Sequence, residues 1–290
     1  MSDEKSVIPF AGCFADTDEA RGRVRLVFVG LPDDSQSSFR RGCARAPERI
    51  RLAYDGNCYN ASTEAGVDLS GAVADLGDLA SGDSWEATTR RYRDFAAGLY
   101  SGGKVPFFAG GDHAVTVPVV AALSVLNEPV HVVQFDAHPD LYPVFEGNPN
   151  SHACAATRLL EMGHVASLTQ LGVRTLNRPQ SQQAEQHSDR LRILSARDLG
   201  GGIPALSHIP RGAKVYVNVD IDAFDPAYAP GVSHPVPGGL TPRQVLDFLQ
   251  RAEWALVGMD VVEVNLTLDR NDQTVLLAAR LLHEGMGYAA

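Results

Sequence analysis

The stretch Val130-His131-Val132-Val133-Gln134-Phe135-Asp136-Ala137-His138-Pro139-Asp140 decides the fold. Its β-branched and aromatic residues up to Phe135 predict a strand. Asp136, His138 and Asp140 stand two residues apart at the end of that strand, so they project to one side. Two carboxylates and an imidazole gathered in this way are costly to bury unpaired, and a divalent cation is the usual compensation. Taken alone, the pattern also suits an acidic turn after a strand.

Two further stretches repeat the design. Val215-Tyr216-Val217-Asn218-Val219 runs into Asp220-Ile221-Asp222, again two acids at period two, and Val105 to Phe108 runs through Ala109-Gly110-Gly111-Asp112 to His113. Each strand end delivers Asp or His to the carboxyl edge of a parallel sheet, where ligands bind in open α/β folds. The candidate metal ligands are therefore His113, Asp136, His138, Asp140, Asp220 and Asp222. Four carboxylates balance two divalent cations, which bridging carboxylates would hold roughly 3.5 to 4 Å apart. An oxygen-rich donor set with two imidazoles and no thiolate suits manganese, with nickel, cobalt, iron or zinc as alternatives. The reaction class that follows is metal-assisted hydrolysis by an activated water.

Around these stretches the chain alternates strand and helix. Strands are expected at Arg25 to Gly30, Val105 to Phe108, Val130 to Phe135, Leu168 to Val173, Leu191 to Leu194, Val215 to Val219 and Leu256 to Val262. Helices are expected at Glu86 to Tyr100, Val115 to Leu126, Ala153 to Met162, Pro242 to Ala255 and Asp272 to Gly285, with another starting near Pro47. This rhythm predicts an α/β protein with a mostly parallel sheet covered by helices. No composition shift, low-complexity tract or repeat marks a linker, so one domain over residues 1–290 is expected.

Gly110-Gly111-Asp112-His113, Asp136-Ala137-His138-Pro139-Asp140, Asp220-Ile221-Asp222-Ala223-Phe224-Asp225-Pro226, Gly238-Gly239-Leu240-Thr241 and Asp260-Val261-Val262-Glu263-Val264-Asn265 together resemble the ureohydrolase family of arginases and agmatinases. The resemblance is ordered along nearly the whole chain, from Arg41-Gly42 to the last helix. It implies a three-layer α/β/α arginase-like fold, two Mn2+ per subunit with Ni2+ or Co2+ possible, and hydrolysis of a guanidino group to urea. It also implies that Asp136 and Asp220 bridge the metals, that His113 and Asp140 complete one ion, and that His138 and Asp222 complete the other. Glu263 matches the family's guanidinium-binding glutamate, and a carboxylate can grip a guanidinium bidentately. His152 matches the family's proton-shuttle histidine, suited to delivering a proton to a departing amine near neutral pH. Asp140 is expected to orient the attacking hydroxide as well. Trimers or hexamers are the assemblies that the resemblance implies.

Two departures bear on the substrate. Tyr142 stands where arginases carry an asparagine for the amino-acid carboxylate, and Gly172-Val173-Arg174 continues as Thr175-Leu176-Asn177 without the acidic pair that receives an α-ammonium. Pro230-Gly231-Val232-Ser233-His234-Pro235 replaces a common Thr-Gly-Thr-Pro, which puts an ionisable ring in the pocket. Tyr142 and the missing acidic pair both argue against arginine and favour an agmatinase-type activity, agmatine to putrescine and urea. The second departure keeps a guanidinobutyrase, a guanidine hydrolase and a formimidoylglutamase in play, with Arg40, Arg41 or Arg174 available to a carboxylate substrate. A non-catalytic family member would have lost ligands, His152 or Glu263, and none is lost.

A net charge of -10 argues against nucleic acid, whose phosphates demand basic patches, and suits steering of a small cationic guanidino substrate. No apolar run is long enough to cross a membrane, and Met1 to Lys5 leads into no secretory core, so a cytoplasmic protein is expected. Cys13, Cys43, Cys58 and Cys154 are irregularly spaced and are expected to be reduced. His283, near the expected end of the last helix, is read as a cationic imidazole against the helix dipole.

Overall fold

A computed structural model describes residues 8–57 and 59–290, so Met1 to Lys5 and Cys58 lie outside the described residues. Eight strands, β1 (Leu26–Leu31), β2 (Val73–Asp78), β3 (Val105–Gly110), β4 (Val130–Phe135), β5 (Val165–Val173), β6 (Leu191–Ser195), β7 (Lys214–Asp220) and β8 (Ala255–Val262), form one all-parallel sheet in the order β2-β1-β3-β8-β7-β4-β5-β6. Its inner strands read as nearly unbroken apolar runs because both faces are covered.

Alternation along each strand sends neighbours to opposite faces. Phe28, Phe107, Val133 and Val217 pack under α2 (Ala46–Ala53), α7 (Pro242–Gln250) and α8 (Gln273–Ala289), whereas Val29, Phe108, Val132 and Tyr216 pack under α3 (Trp85–Ser101), α4 (Thr116–Ala121) and α5 (Ala155–Leu160). Three layers result. Among the described residues no helix is long and apolar enough to cross a membrane.

Local chemistry sets the helix starts. Ser84 accepts from Ala87 N at the head of α3, and Thr241 with Gln244 forms a capping box on α7. The acid that caps α8 is Asp269, which takes the N–H groups of Thr274 and Val275, while Asp272 turns away to pair with Arg49. The helix also runs on to Ala289, which leaves His283 inside it rather than at its end. His283 is fully buried, its Nε2 faces Ala61 O at 3.2 Å, and burial pushes its pKa down. The expected cationic cap is therefore a neutral packing residue.

The sequence reading lacked three elements: α1 (Asp18–Arg23), β2 and α6 (Arg178–Gln186). β2 is an edge strand that closes on Leu-Gly-Asp and is half open to solvent, so its apolar signal fades after two residues. α6 is polar on nearly every face, buries only Gln180, and starts on an Asn177 cap followed by Pro179. The expected helix from Val115 to Leu126 is α helix only over α4, flanked by 3-10 turns and stopped by Asn127 in the left-handed region. α7 ends at Gln250, short of the expected Ala255.

Candidate active site

The middle of the sheet runs β3, β8, β7, β4, and the carboxyl ends of these four neighbours open on one point. β3 leads to His113, β8 to Glu263, β7 to Asp220 and Asp222, and β4 to Asp136, His138 and Asp140. Close approach of the β1 loop shapes this edge: a Cβ on Gly111 would lie 1.8 Å from Asp33 O, so only glycine fits. Asp140 (φ +46°) and Glu263 (φ +63°) both sit in the left-handed region, where a non-glycine residue costs on the order of 1–3 kcal/mol. Surrounding structure therefore holds both carboxylates in place.

His113 Nδ1 lies 2.9 Å from Asp140 Oδ2 and 3.3 Å from both Asp136 Oδ2 and Asp220 Oδ2. His138 Nδ1 lies 2.9 Å from Asp222 Oδ2 and 3.7 Å from Asp136 Oδ1. Two donor groups emerge, His113 with Asp136 and Asp140, and Asp136 with His138 and Asp222, sharing Asp136. All six candidate ligands meet here.

The chemistry of these donors fits a cation. Asn218 Nδ2 donates to Thr116 Oγ1 and Asp260 Oδ1, which aims Oδ1 at His113 Nε2, 2.8 Å away. Nε2 therefore carries a proton and Nδ1 is left to face three carboxylates, where burial disfavours the charged ring but Asp140 and Asp220 outweigh it and raise the His113 pKa, so that Nδ1 competes with a cation for these acids. Burial, then mutual repulsion, pushes the carboxyl groups of Asp136 and Asp220 well above their usual range. A divalent ion removes both conflicts at once.

Beside the clusters, Glu263 and His152 form a buried pair. Glu263 Oε1 accepts from His152 Nδ1 at 2.8 Å and from His113 N at 2.9 Å, and Cys43 Sγ lies 3.6 Å from Oε2. Burial opposes the imidazolium, but the Glu263 charge outweighs it and raises His152 to about 9. In return, although burial raises Glu263, the His152 charge holds its carboxyl below the usual range. His152 Nε2 meets Ser38, 2.9 Å from Oγ and 3.3 Å from N.

A cavity of about 280 Å³ opens over these groups. Beyond the clusters its wall is neutral: Tyr142, Phe145, Thr175, Asn177 and Gln180, with Asn177 Nδ2 donating to Tyr142 OH at 2.5 Å. His234 lines it too, its ring 5.3 Å from that of His152 and 5.6 Å from that of Phe39, and burial, then the His152 charge, lowers its pKa. None of the arginines considered for a carboxylate lines the cavity. Arg174 spends its guanidinium on the carbonyls of Gly172, Asp222, Ala223, Phe224 and Val236. It is a clamp between loops rather than a substrate cation. Arg40 lies over Phe39 and Arg41 binds Ser35 O, both exposed. Cys13, Cys43 and Cys154 are free and buried, as expected.

Sequence reasoning passed over Ser38, Asn218 and Asp260. Asn218 had a signal: it precedes Asp220 by two residues and so shares its face. Asp260 stands two residues upstream of Val262 on β8, where Thr116 Oγ1, Tyr216 OH and Asn218 Nδ2 converge on its carboxylate. Ser38, in an exposed loop, had none.

A parallel sheet whose central strand ends carry twin acid–imidazole clusters defines a metal-dependent hydrolase of the α/β class. Residues 24–287 match the arginase family model, and the chain belongs to the arginase family, the ureohydrolases that hydrolyse C–N bonds of guanidino compounds. It is 36% identical to arginase 1, mitochondrial, of Arabidopsis thaliana over 270 residues, 88% of this chain and 78% of the relative. It is 32% identical to agmatinase, mitochondrial, of Gallus gallus over 267 residues, 89% of this chain and 78% of the relative. Among solved structures, arginase from Medicago truncatula superposes with a TM-score of 0.83 at 34% identity, covering 92% of this chain and 87% of that one.

Proposed function

We propose that the chain hydrolyses the guanidino group of a small substrate to urea and an amine, with arginine the substrate that its cavity fits best. His113 and Asp140 would hold one divalent ion, His138 and Asp222 the other, with Asp136 and Asp220 between them. Manganese is the ion that this oxygen-rich set suits, and the metals supply an acidified water as nucleophile near neutral pH.

The protein's own groups do the rest. Glu263 faces the cavity and anchors the guanidinium. Three of its roughly four lone-pair directions are already taken by His152, His113 N and Cys43, so one N–H rather than two finds a free acceptor there. The expected bidentate grip gives way to a single contact on Oε2. Asp140 orients the attacking water, and His152, charged at neutral pH beside Glu263, stores the proton that the departing amine needs.

The observation that carries the substrate is the neutral wall. The tail of agmatine carries a net positive charge, whereas that of arginine, an ammonium beside a carboxylate, carries none, and beyond the clusters and Glu263 no carboxylate among the described lining residues offsets a cationic tail. Tyr142 O–H and the second Asn177 Nδ2–H are donors that suit a carboxylate, whereas the Thr175 hydroxyl already donates to Ala137 O, and the arginases of A. thaliana and M. truncatula point the same way. Agmatine is the second reading, supported by the G. gallus relative. The test is urea release by the manganese-loaded enzyme from arginine, agmatine, 4-guanidinobutyrate and free guanidine. Turnover of arginine above the rest is expected; preference for agmatine would overturn the substrate, and urea from none would overturn the activity.

A further inference from the structure

We infer that the Ser38 hydroxyl relays the proton between His152 and the departing amine. The inference rests on the activity proposed above and adds a residue that touches the reacting nitrogen.

Both ring nitrogens of His152 are engaged. Nδ1 faces Glu263 Oε1 at 2.8 Å and Nε2 faces Ser38 Oγ at 2.9 Å, so a proton leaves the ring through one partner or the other. Glu263 is 3% exposed and already accepts from His113 N, with the Cys43 thiol against its other oxygen. Ser38 is exposed and lines the same cavity. The path through Ser38 is the open one.

Its placement is built rather than incidental. Gln36 N donates to Asp112 Oδ2 at 2.9 Å, Gly42 N to Asp34 Oδ2 at 2.7 Å, and His152 N to Gln36 O at 3.3 Å, while Asn148 Nδ2 holds Gln36 Oε1 at 2.9 Å. The loop that carries Ser38 is thus tied on one side to the glycine-rich turn before His113 and on the other to the loop that carries His152. Supports of this kind hold a relay group within hydrogen-bond reach.

Ser38 also serves both states of the ring. Its Oγ accepts from Nε2–H of the imidazolium, and its backbone N–H, 3.3 Å away, can only donate and so favours the bare Nε2 of the neutral ring. In the step itself the C–N bond to the departing nitrogen breaks and its electron pair goes to that nitrogen. The nitrogen takes the Ser38 Oγ proton, Oγ takes the Nε2 proton, and His152 is left neutral with Nδ1–H still on Glu263. Water returns the lost proton through the same exposed hydroxyl.

Ser38→Ala removes the hydroxyl and keeps the backbone N–H, while Ser38→Thr keeps both. For urea release from whichever of the four substrates is turned over, kcat of Ser38→Ala is expected to fall by about 10²-fold, the low end for a lost acid–base group. KM and metal content should stay within about twofold, and Ser38→Thr should recover most of the rate. In metal-free protein the 15N resonance of His152 Nε2 should move in Ser38→Ala and return in Ser38→Thr. Unchanged kcat, a raised KM at constant kcat, or an unmoved resonance would each overturn the relay. Urea from no substrate would fell the activity and the relay together, whereas an active parent with an equally active Ser38→Ala removes the relay alone.

Discussion

The floor and the wall of the cavity are built by opposite means. The floor stands on the ends of four adjacent strands and is backed by buried polar groups: Asp260 takes Tyr216, Thr116 and Asn218, and Asn218 orients His113. The wall stands on loops and the head of α6, where Tyr142 and Asn177 hold each other at the surface. A strand end is fixed by hydrogen bonds on both sides and by core beneath it, so the floor cannot shift without the sheet. A loop can change its side chains at little cost to the fold. Chemistry that must not vary belongs on the floor, and choice of substrate belongs on the wall.

Substitutions graded from floor to wall test this division. Asp136→Asn strikes the residue shared by both donor groups and is expected to have the largest effect: loss of bound metal and of urea release together, beyond the roughly 10–100-fold that an outer partner costs. Metal analysis of the purified variant beside its activity checks it. An Asp136→Asn enzyme that keeps two metals and its rate would dissolve the distinction. Asn218→Leu leaves every ligand in place but frees His113 to turn over, so metal affinity should weaken by about 10–100-fold, read by titration of the metal-free protein. Unaltered affinity would mean that the ring is held by packing alone.

The pair at the junction of floor and wall gives a signature in pH. His152 is raised to about 9 in the folded protein, above the roughly 6.5 of an unfolded histidine, so the pair's stabilisation is whole below about pH 6.5. It is lost as pH rises from there through about 9. Metal-free protein should therefore unfold at progressively lower denaturant over that window, without the metal adding its own pH dependence. In Glu263→Gln, which removes the charge that raises His152, this decline should become shallower, the remainder coming from His138, raised to about 10, and from His113. A parent whose midpoint is level from pH 6.5 to 9 would argue that the proton is not held as described.

The same division explains how much could be read from the chain. The six candidate ligands were legible because each follows an apolar run that ends at the carboxyl edge of the sheet, although only Asp220 lies within a strand and Asp140 stands in the left-handed region beyond β4. The parallel sheet was legible from the same runs, down to the alternation that covers both its faces. What escaped depends on contacts between segments distant in sequence. Ser38 lies 114 residues from His152, and nothing local to Gln36-Ser37-Ser38 announces their meeting. His283 was misread because the helix end was placed too early, and the sign of its pKa shift turned on that single boundary. Arg174 looked like a free cation beside the site, and only the folded loops reveal the carbonyls that consume it.

The smallest effect is expected on the wall. Tyr142→Phe removes one hydroxyl, which accepts from Asn177 Nδ2, and leaves the ring tilted against Phe145 at 5.0 Å between centroids. The cavity keeps its volume and every floor residue, so kcat with the preferred substrate should change by less than about threefold. The lost hydroxyl also frees the Asn177 amide, which changes the polarity met by the substrate's tail. A hydrogen bond of this kind is worth about 1 kcal/mol, so the ratio of kcat/KM between arginine and agmatine should move by about fivefold or less. If instead kcat collapsed for both substrates while their ratio held, Tyr142 would belong with the floor. Wall and floor would then be one machine, and substrate choice would have to reside in Phe145, Thr175 or His234.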